Sequence, residues 1–217
     1  KGTVGILDPK TGRCGSVLLN EEIENSFAVS SEGVYIVTDK AMYKFRGSAG
    51  LKPKLVWKSV YRNVGIAKPG QINAGSGTTP TLIWGDKPAK GTTAPAYVAV
   101  TDNADPMDVV VYRAGDRLAR GQKRVVCQVP VFRKGASDTE NSLIAIGHSL
   151  IVENNYGYDL GKWNDILPGG VTLGGDRNLV SEPGIAACQW WRRRKVAACD
   201  SSTSLPAVAI SLPVART

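Results

Sequence analysis

The stretch ENSFAVS at residues 24–30 decides the fold, because it returns as ENSLIAI at residues 140–146. A weaker copy, TTPTLI at residues 78–83, lies between them, so that Asn25, Thr79 and Asn141 stand 54 and 62 residues apart. Each copy precedes a second apolar run that ends in acidic or amide residues: VYIVTDK at 34–40, YVAVTDN at 97–103 and LIVENN at 150–155. Short strands that repeat at about this spacing are typical of β-propeller blades.

Apolar residues alternate over short runs elsewhere in the chain and rarely recur at helical spacing, which predicts an all-β protein. Turn residues bound the predicted strands, which include residues 3–7, 26–30, 34–38, 41–46 and 54–60. We predict a partial β-propeller of about four blades of four-stranded antiparallel sheets in residues 1–185. It begins with the two outer strands of one blade and ends on the inner strand of another, near residues 184–185. The sequence of residues 186–217 is basic, rich in Ser, Ala and Pro, and loses this rhythm.

An incomplete propeller leaves strand edges and a blade face uncovered, and these surfaces favour association. We therefore expect a homo-oligomer, a dimer or larger. Residues 186–217 are either an interaction tail or an out-of-frame extension of the chain. Their deletion is expected to abolish assembly in the first case and to leave the fold unharmed in the second.

Residues 6–13, ILDPKTGR, resemble the strand-turn-strand element of quinoprotein-like propellers of the PQQ-repeat type. The ENS strand openings are similar to those of calcium-dependent gluconolactonase and paraoxonase-like propellers. The resemblance covers residues 1–185 and implies a propeller fold, but such propellers include dehydrogenases, hydrolases and binding scaffolds. It also slightly favours a secreted or periplasmic location. The ligands of a quinone cofactor cannot be identified among these residues.

Composition and missing motifs exclude several classes of protein. The net charge of +8 is moderately basic, and basic patches of this kind are more often solvated surface than nucleic-acid sites. No apolar run is long enough to span a membrane as a helix. The chain has no GxSxG, HExxH, P-loop or dinucleotide motif, and its one histidine, His148, is predicted to lie in a surface turn.

The four cysteines are far apart and show no CxxC spacing, which argues against a zinc knuckle or a thioredoxin-type site. Cys188 and Cys199 are 11 residues apart. They are expected either to form a hairpin disulfide in an oxidising environment or to remain free thiols.

Blade topology predicts one polar face, because antiparallel strands bring the start of each inner strand and the end of each second strand to the same side. Carboxylate and amide oxygens that converge there are the ligands that Ca²⁺ or another divalent cation requires, as in the lactonase-like propellers. The predicted metal ligands are Glu24, Asn25, Asp102, Asn103, Asn141 and Asn155, and the predicted catalytic carboxylates are Glu140 and Glu153. The competing interpretation is structural, since Asp and Asn are common turn formers at hairpin ends.

Aromatic residues that follow the third of these strand ends could wall a substrate pocket. They are Tyr156, Tyr158 and Trp163, although most aromatic residues in such a fold pack between blades. Together these features predict a metal-dependent hydrolase of ester, lactone or phosphotriester small molecules at the channel mouth. The alternative is a non-catalytic β-propeller module for binding or assembly.

Overall fold

The computed structural model describes residues 2–84, 94–147 and 149–157, and the backbone of two further strands at 184–189 and 198–200. This part of the chain consists of strands, turns and loops and contains no helix. Accordingly, no helix long and apolar enough to cross a membrane is found in it. The strands are β1 Thr3–Leu7, β2 Cys14–Leu18, β3 Ala28–Ser30, β4 Gly33–Val37, β5 Ala41–Arg46, β6 Lys54–Val60, β7 Thr81–Ile83, β8 Tyr97–Thr101, β9 Asp108–Arg113, β10 Val125–Pro130, β11 Ile144–Ile146, β12 Ser149–Asn154, β13 Gly184–Gln189 and β14 Ala198–Asp200.

These strands form four antiparallel sheets in which neighbours in sequence are neighbours in space. Sheet 1 contains β1 and β2, sheet 2 contains β3 to β6, sheet 3 contains β7 to β10, and sheet 4 contains β11 to β14. The predicted all-β class is therefore confirmed, with three four-stranded sheets and one two-stranded sheet in the described residues. No sheet closes on itself there.

Local sequence explains the strands and their turns. In β1 and β2 the exposed and half-buried residues alternate, as expected of a sheet with one covered face. The turn between them is fixed by Asp8, whose carboxylate accepts bonds from the Lys10 amide and the Thr11 hydroxyl, while Gly12 takes a left-handed φ of 69°. By contrast β8 and β9 are buried on both faces and read as continuous apolar runs.

The sheets stack face to face in chain order. Between sheets 1 and 2, Val4 and Val17 pack against Tyr43 and its neighbours. The contact between sheets 2 and 3 is aromatic, because the Trp57 ring lies against the Tyr112 ring with centroids 6.3 Å apart. Aliphatic side chains fill the contact between sheets 3 and 4: Ile83, Val109, Val111, Leu150 and Val152. Sheets 2 and 3 are thus covered on both faces.

A buried lysine bridges sheets 2 and 3. The Lys44 side chain is 1% exposed, and its Nζ donates to the Ala114 carbonyl at 2.9 Å and to the Asp116 carboxylate at 2.8 Å. It also lies 5.3 Å from the centre of the Tyr35 ring. A charge taken out of water at this depth needs such partners, so the bridge fixes how the two sheets meet.

The predicted strand bounds hold for β1, β5 and β6, whereas β3 begins two residues later than expected. The prediction of a new inner strand near residues 184–185 is wrong. Gly184–Gln189 is the third strand of sheet 4, paired with β12 from Asn154↔Gly184 to Ser149↔Gln189. A long connection separates β13 from β12 in the sequence. For this reason the local pattern of β13 resembles the first strand of another blade. β14 then pairs with β13 and sets the backbone of Cys199 opposite that of Cys188.

One long connection has no strand of its own. It runs from β6 to β7 through residues 61–80, which we call the 61–80 segment. This segment crosses the ends of sheets 2, 3 and 4. Its residues form many of the polar contacts described next.

Candidate functional site

The start of the first strand meets the end of the second strand in sheets 2, 3 and 4. In sheet 2 the Glu22 amide donates to the Asp39 carboxylate at 2.7 Å. In sheet 3 the Thr101 amide donates to the Thr78 hydroxyl at 3.0 Å, and in sheet 4 the Glu140 amide donates to Asn155 Oδ1 at 2.8 Å. A hydrogen bond therefore joins these two regions in each of the three sheets, although the bonded residues are not equivalent positions of the repeats.

These three strand starts also lie side by side. Asn25 Nδ2 donates to the Ser76 carbonyl at 2.6 Å, which joins sheet 2 to sheet 3. The Thr79 amide donates to the Ser142 hydroxyl at 3.2 Å, which joins sheet 3 to sheet 4. We call the surface formed by these strand starts and second-strand ends the strand-end face.

Gly77 allows the close approach of sheets 3 and 4 on this face. A Cβ atom at Gly77 would lie 1.7 Å from the Thr139 carbonyl oxygen, far inside van der Waals contact. Gly70 in the 61–80 segment is similarly confined, since its Cβ would lie 2.2 Å from the Asn155 carbonyl oxygen, and its φ is 110°. Only glycine fits these positions without a backbone shift.

Two predicted site residues from different sheets influence each other on the strand-end face. Glu24 precedes sheet 2 and Glu140 precedes sheet 4. Partial burial and the nearby Glu140 carboxylate raise the pKa of Glu24 to about 7, although a hydrogen bond from Asn73 opposes this. Burial also raises the pKa of Glu140, whose Oε1 accepts a bond from the Ile72 amide at 3.1 Å. These two carboxylates are therefore harder to ionise than ordinary glutamates.

A third acidic residue, Asp138, lies beneath this pair and was not predicted from the sequence. It is 0% exposed, and neither carboxylate oxygen has a hydrogen-bond partner. Burial raises its pKa to about 7, with the Lys68 charge opposing and the Glu140 charge adding to the shift. Lys68 is itself buried, and its Nζ donates to the carbonyls of Ala104 and Ser137 at 2.6 and 2.8 Å.

Asp102 belongs to a different acidic cluster. Its Oδ1 accepts bonds from the amides of Ala104 and Asp108 at 3.1 and 2.7 Å, and its Oδ2 lies 3.4 Å from Arg62 Nε. Arg62 also forms an ion pair with Asp108, whose Oδ2 accepts a 2.5 Å bond from Gln128. Burial still raises the pKa of Asp102 to about 6. Both oxygens of Asp102 thus have protein partners, and its role as a metal ligand stays a prediction.

The amide residues of the predicted ligand set hold the loops of the face. Asn103 Nδ2 donates to Asn63 Oδ1 and to the Ile66 carbonyl, both at 3.0 Å, while its own Oδ1 is buried without a partner. Asn155 Oδ1 accepts bonds from Thr139, Glu140 and Asn141, which occupy it fully.

The remaining predicted residues are only partly placed. Asn141 Nδ2 donates to Glu153 Oε2 at 2.8 Å, which connects Glu153 to the same cluster. Tyr156 is half-buried, and its amide donates to Asn154 Oδ1. Tyr158, Trp163 and His148 lie outside the described residues, so the predicted aromatic wall stays a prediction.

A divalent cation fits only part of the predicted set. In the described ranges, no group of three or more His, Cys, Asp or Glu side chains is placed to hold a metal ion. Glu24 and Glu140 are the two carboxylates that would share a cation, which would relieve the repulsion that Glu140 exerts on Glu24. A site with two carboxylates would resemble Mg²⁺ sites that water and substrate oxygens complete.

Sequence reasoning missed Asp138, Lys68 and Gly77, all of which act through contacts with distant parts of the chain. The sequence gives only a weak indication of Asp138, which lies two residues before Glu140, at the start of the third repeat. Its burial depends on Gly70 and Asn155, and no local pattern connects these positions.

Comparison with known proteins adds little about function. No family model matches the chain, and no solved structure matches it. A curated protein of Archaeoglobus fulgidus, described only as an uncharacterized protein, is 29% identical over 170 residues. The match covers 71% of this chain and 32% of that protein, so the chain spans about a third of the length of its relative.

Proposed function

We propose that the four sheets are an arc of a β-propeller. Two features support this fold. The sheets stack in chain order, with cores between each neighbouring pair, and the first strands of three sheets begin side by side on one face. Sheets arranged around a common axis have this relation, with their first strands innermost.

We further propose that the strand-end face is the active site of a metal-dependent hydrolase. The observation that carries this proposal is the pair Glu24 and Glu140, brought together from sheets two places apart with raised pKa values. Burial and repulsion from Glu140 raise the pKa of Glu24 to about 7, and a bound cation would relieve this repulsion and polarise a carbonyl or phosphoryl oxygen. Esters, lactones and phosphotriesters are the substrate classes that this chemistry suits.

The roles follow from the surroundings of each residue. Glu24 and Glu140 would hold the cation, which would polarise the carbonyl or phosphoryl oxygen of the substrate. Glu153, whose carboxylate accepts a hydrogen bond from Asn141, would accept the proton of the attacking water. The Ile72 amide orients Glu140, and burial together with the Glu140 charge raises the pKa of Asp138 to about 7.

The test combines binding with turnover. Calorimetric titration with Ca²⁺ and with Mg²⁺ measures cation binding, and hydrolysis of p-nitrophenyl acetate, a γ-lactone and a phosphotriester measures activity with and without a chelator. The double variant Glu140→Gln/Glu153→Gln is expected to lower cation affinity and any hydrolytic rate together, each by at least about tenfold. Asp8→Asn in the β1–β2 turn removes one negative charge far from the face and is the matched control, and His148→Ala is expected to change neither quantity. Unchanged activity in the double variant rejects this site.

A non-catalytic binding or assembly module is the second candidate. It is favoured by the amide side chains, because Asn25, Asn63 and Asn103 hold the 61–80 segment and its neighbours instead of facing a ligand. This function predicts neither cation binding nor turnover in the same experiment.

A further inference from the structure

Basic side chains are concentrated at one end of sheets 1 to 3. Strands β5 and β9 start near Asp39 and Asp102, on the strand-end side, and run away from it, so the turns after them lie at the opposite end. The β3–β4 turn lies there because β3 starts on the strand-end face, and the β1–β2 turn because β2 leads back to Glu22 beside Asp39. We call the surface of these four turns the turn face, which consists of residues 8–13, 31–32, 46–54 and 113–124.

The turn face carries nearly all of the excess positive charge of the chain. It has ten basic and three acidic residues, a net charge of +7, against +8 for the whole sequence. The sequence outside the described ranges also has more basic than acidic residues, so it adds no net negative charge. Because the acidic clusters lie on the strand-end side, the described part of the molecule has an acidic end and a basic end.

Contacts between the turns make the turn face continuous across three sheets. A Cβ atom at Gly15, beside the β1–β2 turn, would lie 2.6 Å from the Leu51 carbonyl oxygen in the β5–β6 turn. The Asp116 carboxylate of the β9–β10 turn pairs with Arg46 at the end of β5, at 3.0 Å. The basic residues of these turns therefore belong to one surface.

The three acidic residues of the turn face do not neutralise its exposed cations. Asp116 pairs with Lys44 and Arg46. Glu32 also pairs with Arg46, and Asp8 accepts hydrogen bonds from its own turn. The exposed cations of the turn face that form no ion pair within the described part of the chain include Lys52, Lys54, Arg117, Arg120 and Lys123.

The β9–β10 turn holds its cations on an ordered backbone. Arg124 Nη1 donates to the Arg113 carbonyl at 2.6 Å, and Arg113 Nη1 donates to the Lys123 carbonyl at 2.6 Å. Arg117 and Arg120 project from between these bonded positions. A surface that is already ordered loses less conformational entropy when it binds a ligand.

An exposed aromatic side chain lies at the same end of sheet 3. Ile83 at the end of β7 is paired with Tyr97, and Tyr97 is paired with Arg113 of the turn face. Trp84 follows Ile83 and is 48% exposed. Cations beside an exposed aromatic ring are typical of surfaces that bind single-stranded nucleic acid, because the cations contact phosphates while a base stacks on the ring.

We infer that the turn face binds single-stranded nucleic acid without sequence specificity, with phosphates on its Arg and Lys side chains and a base on Trp84. Arginine outnumbers lysine on this face, and a guanidinium group can bond two phosphate oxygens at once. The bases of a duplex stack on each other, so a single strand is the form that can use Trp84. This inference uses neither Glu24 and Glu140 nor a cation site, and it stands whether or not the chain is a hydrolase.

Fluorescence anisotropy of the full chain with labelled oligo(dT) and oligo(U) of about 20 nucleotides tests this inference. We expect a dissociation constant of about 1 to 100 μM in about 50 mM NaCl, which rises steeply with salt. A duplex of the same length is expected to bind less tightly. Absence of binding at low salt, or tighter binding of the duplex, overturns the inference. So does binding to vesicles that contain phosphatidylserine without binding to the oligonucleotides, since the partner would then be a membrane.

The triple variant Arg117→Gln/Arg120→Gln/Lys123→Gln locates the site. We expect the affinity for oligo(dT) to fall at least about tenfold in about 50 mM NaCl. The slope of log affinity against log salt concentration should become less steep by about 2, because each phosphate contact on a single strand contributes about 0.7.

The matched control is Lys40→Gln/Arg133→Gln/Lys134→Gln. It removes the same number of exposed positive charges from the strand-end side, where these residues lie beside the ends of β4 and β10. Its affinity should change less than about threefold. Equal losses in the two triple variants would mean that net charge alone governs binding, and the turn face would not be the site.

Trp84→Ala tests the stacked base. The affinity for oligo(dT) should fall at least about fivefold with an unchanged salt slope, and Trp84→Phe, which keeps a ring, should retain most of it. Heparin has no bases, so its binding should be unchanged in Trp84→Ala. An equal loss for heparin, or no loss for oligo(dT), contradicts stacking on Trp84. Thermal unfolding of each variant establishes that it is folded.

Discussion

Two clusters of acidic residues lie in the strand-end region, and they differ in whether a basic side chain balances their negative charge. Asp102 and Asp108 share Arg62, which contacts both carboxylates. Glu24, Asp138 and Glu140 form no ion pair with a Lys or Arg in the described part of the chain, and the nearest charge opposing the pKa shift of Asp138, that of Lys68, is engaged with two backbone carbonyls. The first cluster carries its own cation. The second takes up protons more readily than ordinary carboxylates, since burial raises the pKa of all three of its members.

The largest effect is expected from Gly77→Ala, which breaks the second cluster and spares the first. Its new methyl group would overlap the Thr139 carbonyl oxygen and lie 2.9 Å from the Glu140 Cα, so sheet 4 must move away from sheet 3. We expect a loss of about 3 kcal/mol in the free energy of unfolding, measured with urea. The pKa of Glu24 should also fall as Glu140 recedes.

Gly115→Ala is the control for this substitution. A Cβ at Gly115 has its nearest neighbour at 3.8 Å, an ordinary contact. If Gly77→Ala is tolerated as well as Gly115→Ala, the close approach of sheets 3 and 4 is not as described.

Arg62→Met makes the first cluster resemble the second. It leaves Asp102 and Asp108, which are both about 1% exposed, without their shared cation. Breaking a buried ion pair costs several kcal/mol, but Arg62 is half exposed, so we expect a loss of about 2 kcal/mol at pH 8. The loss should shrink toward pH 5, because Asp102, whose pKa burial raises to about 6, then protonates.

The exposed Arg120 provides the comparison, since Arg120→Met removes the same charge from a surface loop. Equal stability of the two variants at pH 8 would show that Arg62 does not neutralise the cluster.

Local pattern predicted the all-β class and several strands, because alternation and turn residues act over a few positions. β1, β5 and β6 have the predicted bounds, and hydrogen bonds join the regions where sheets 2, 3 and 4 begin. The acidic clusters could not be predicted from local sequence pattern. Asn103 and Asn155 occupy equivalent places in their repeats, yet Asn103 donates to Asn63 and Ile66 in the 61–80 segment, whereas Asn155 accepts a bond from Glu140 of its own sheet. These outcomes depend on contacts between residues far apart in sequence.

Asp138→Asn is expected to have the smallest effect of these substitutions. It tests whether a buried carboxylate without a partner makes the stability depend on pH. The pKa of Asp138 is raised from 3.8 to about 7 in the folded chain, so the folded state binds this proton more tightly than the unfolded state. Stability should therefore be greatest at acid pH and should fall as the pH rises from about 4 through 7. The variant removes this contribution, and at pH 8 we expect it to be more stable by about 1 kcal/mol.

Urea unfolding at pH 5, 6, 7 and 8 measures the slope. Asp8→Asn is the control, because hydrogen bonds from Thr11 and Lys10 lower the pKa of Asp8 and confine its effect to more acid pH. An unchanged slope in Asp138→Asn would mean that Asp138 already has a partner in solution.

The 61–80 segment has a consequence for how the molecule unfolds. In a simple stack each sheet touches only its neighbours, so an end sheet can detach while the others stay folded. Here one connection links sheet 2 through Asn63 and Asp39, sheet 3 through Lys68 and Ala104, and sheet 4 through Ile72 and Glu140. Detaching sheet 4 therefore also releases the segment from the other two sheets. Amide protons in all three sheets should exchange with similar protection, as one cooperative unit instead of a series of fraying layers.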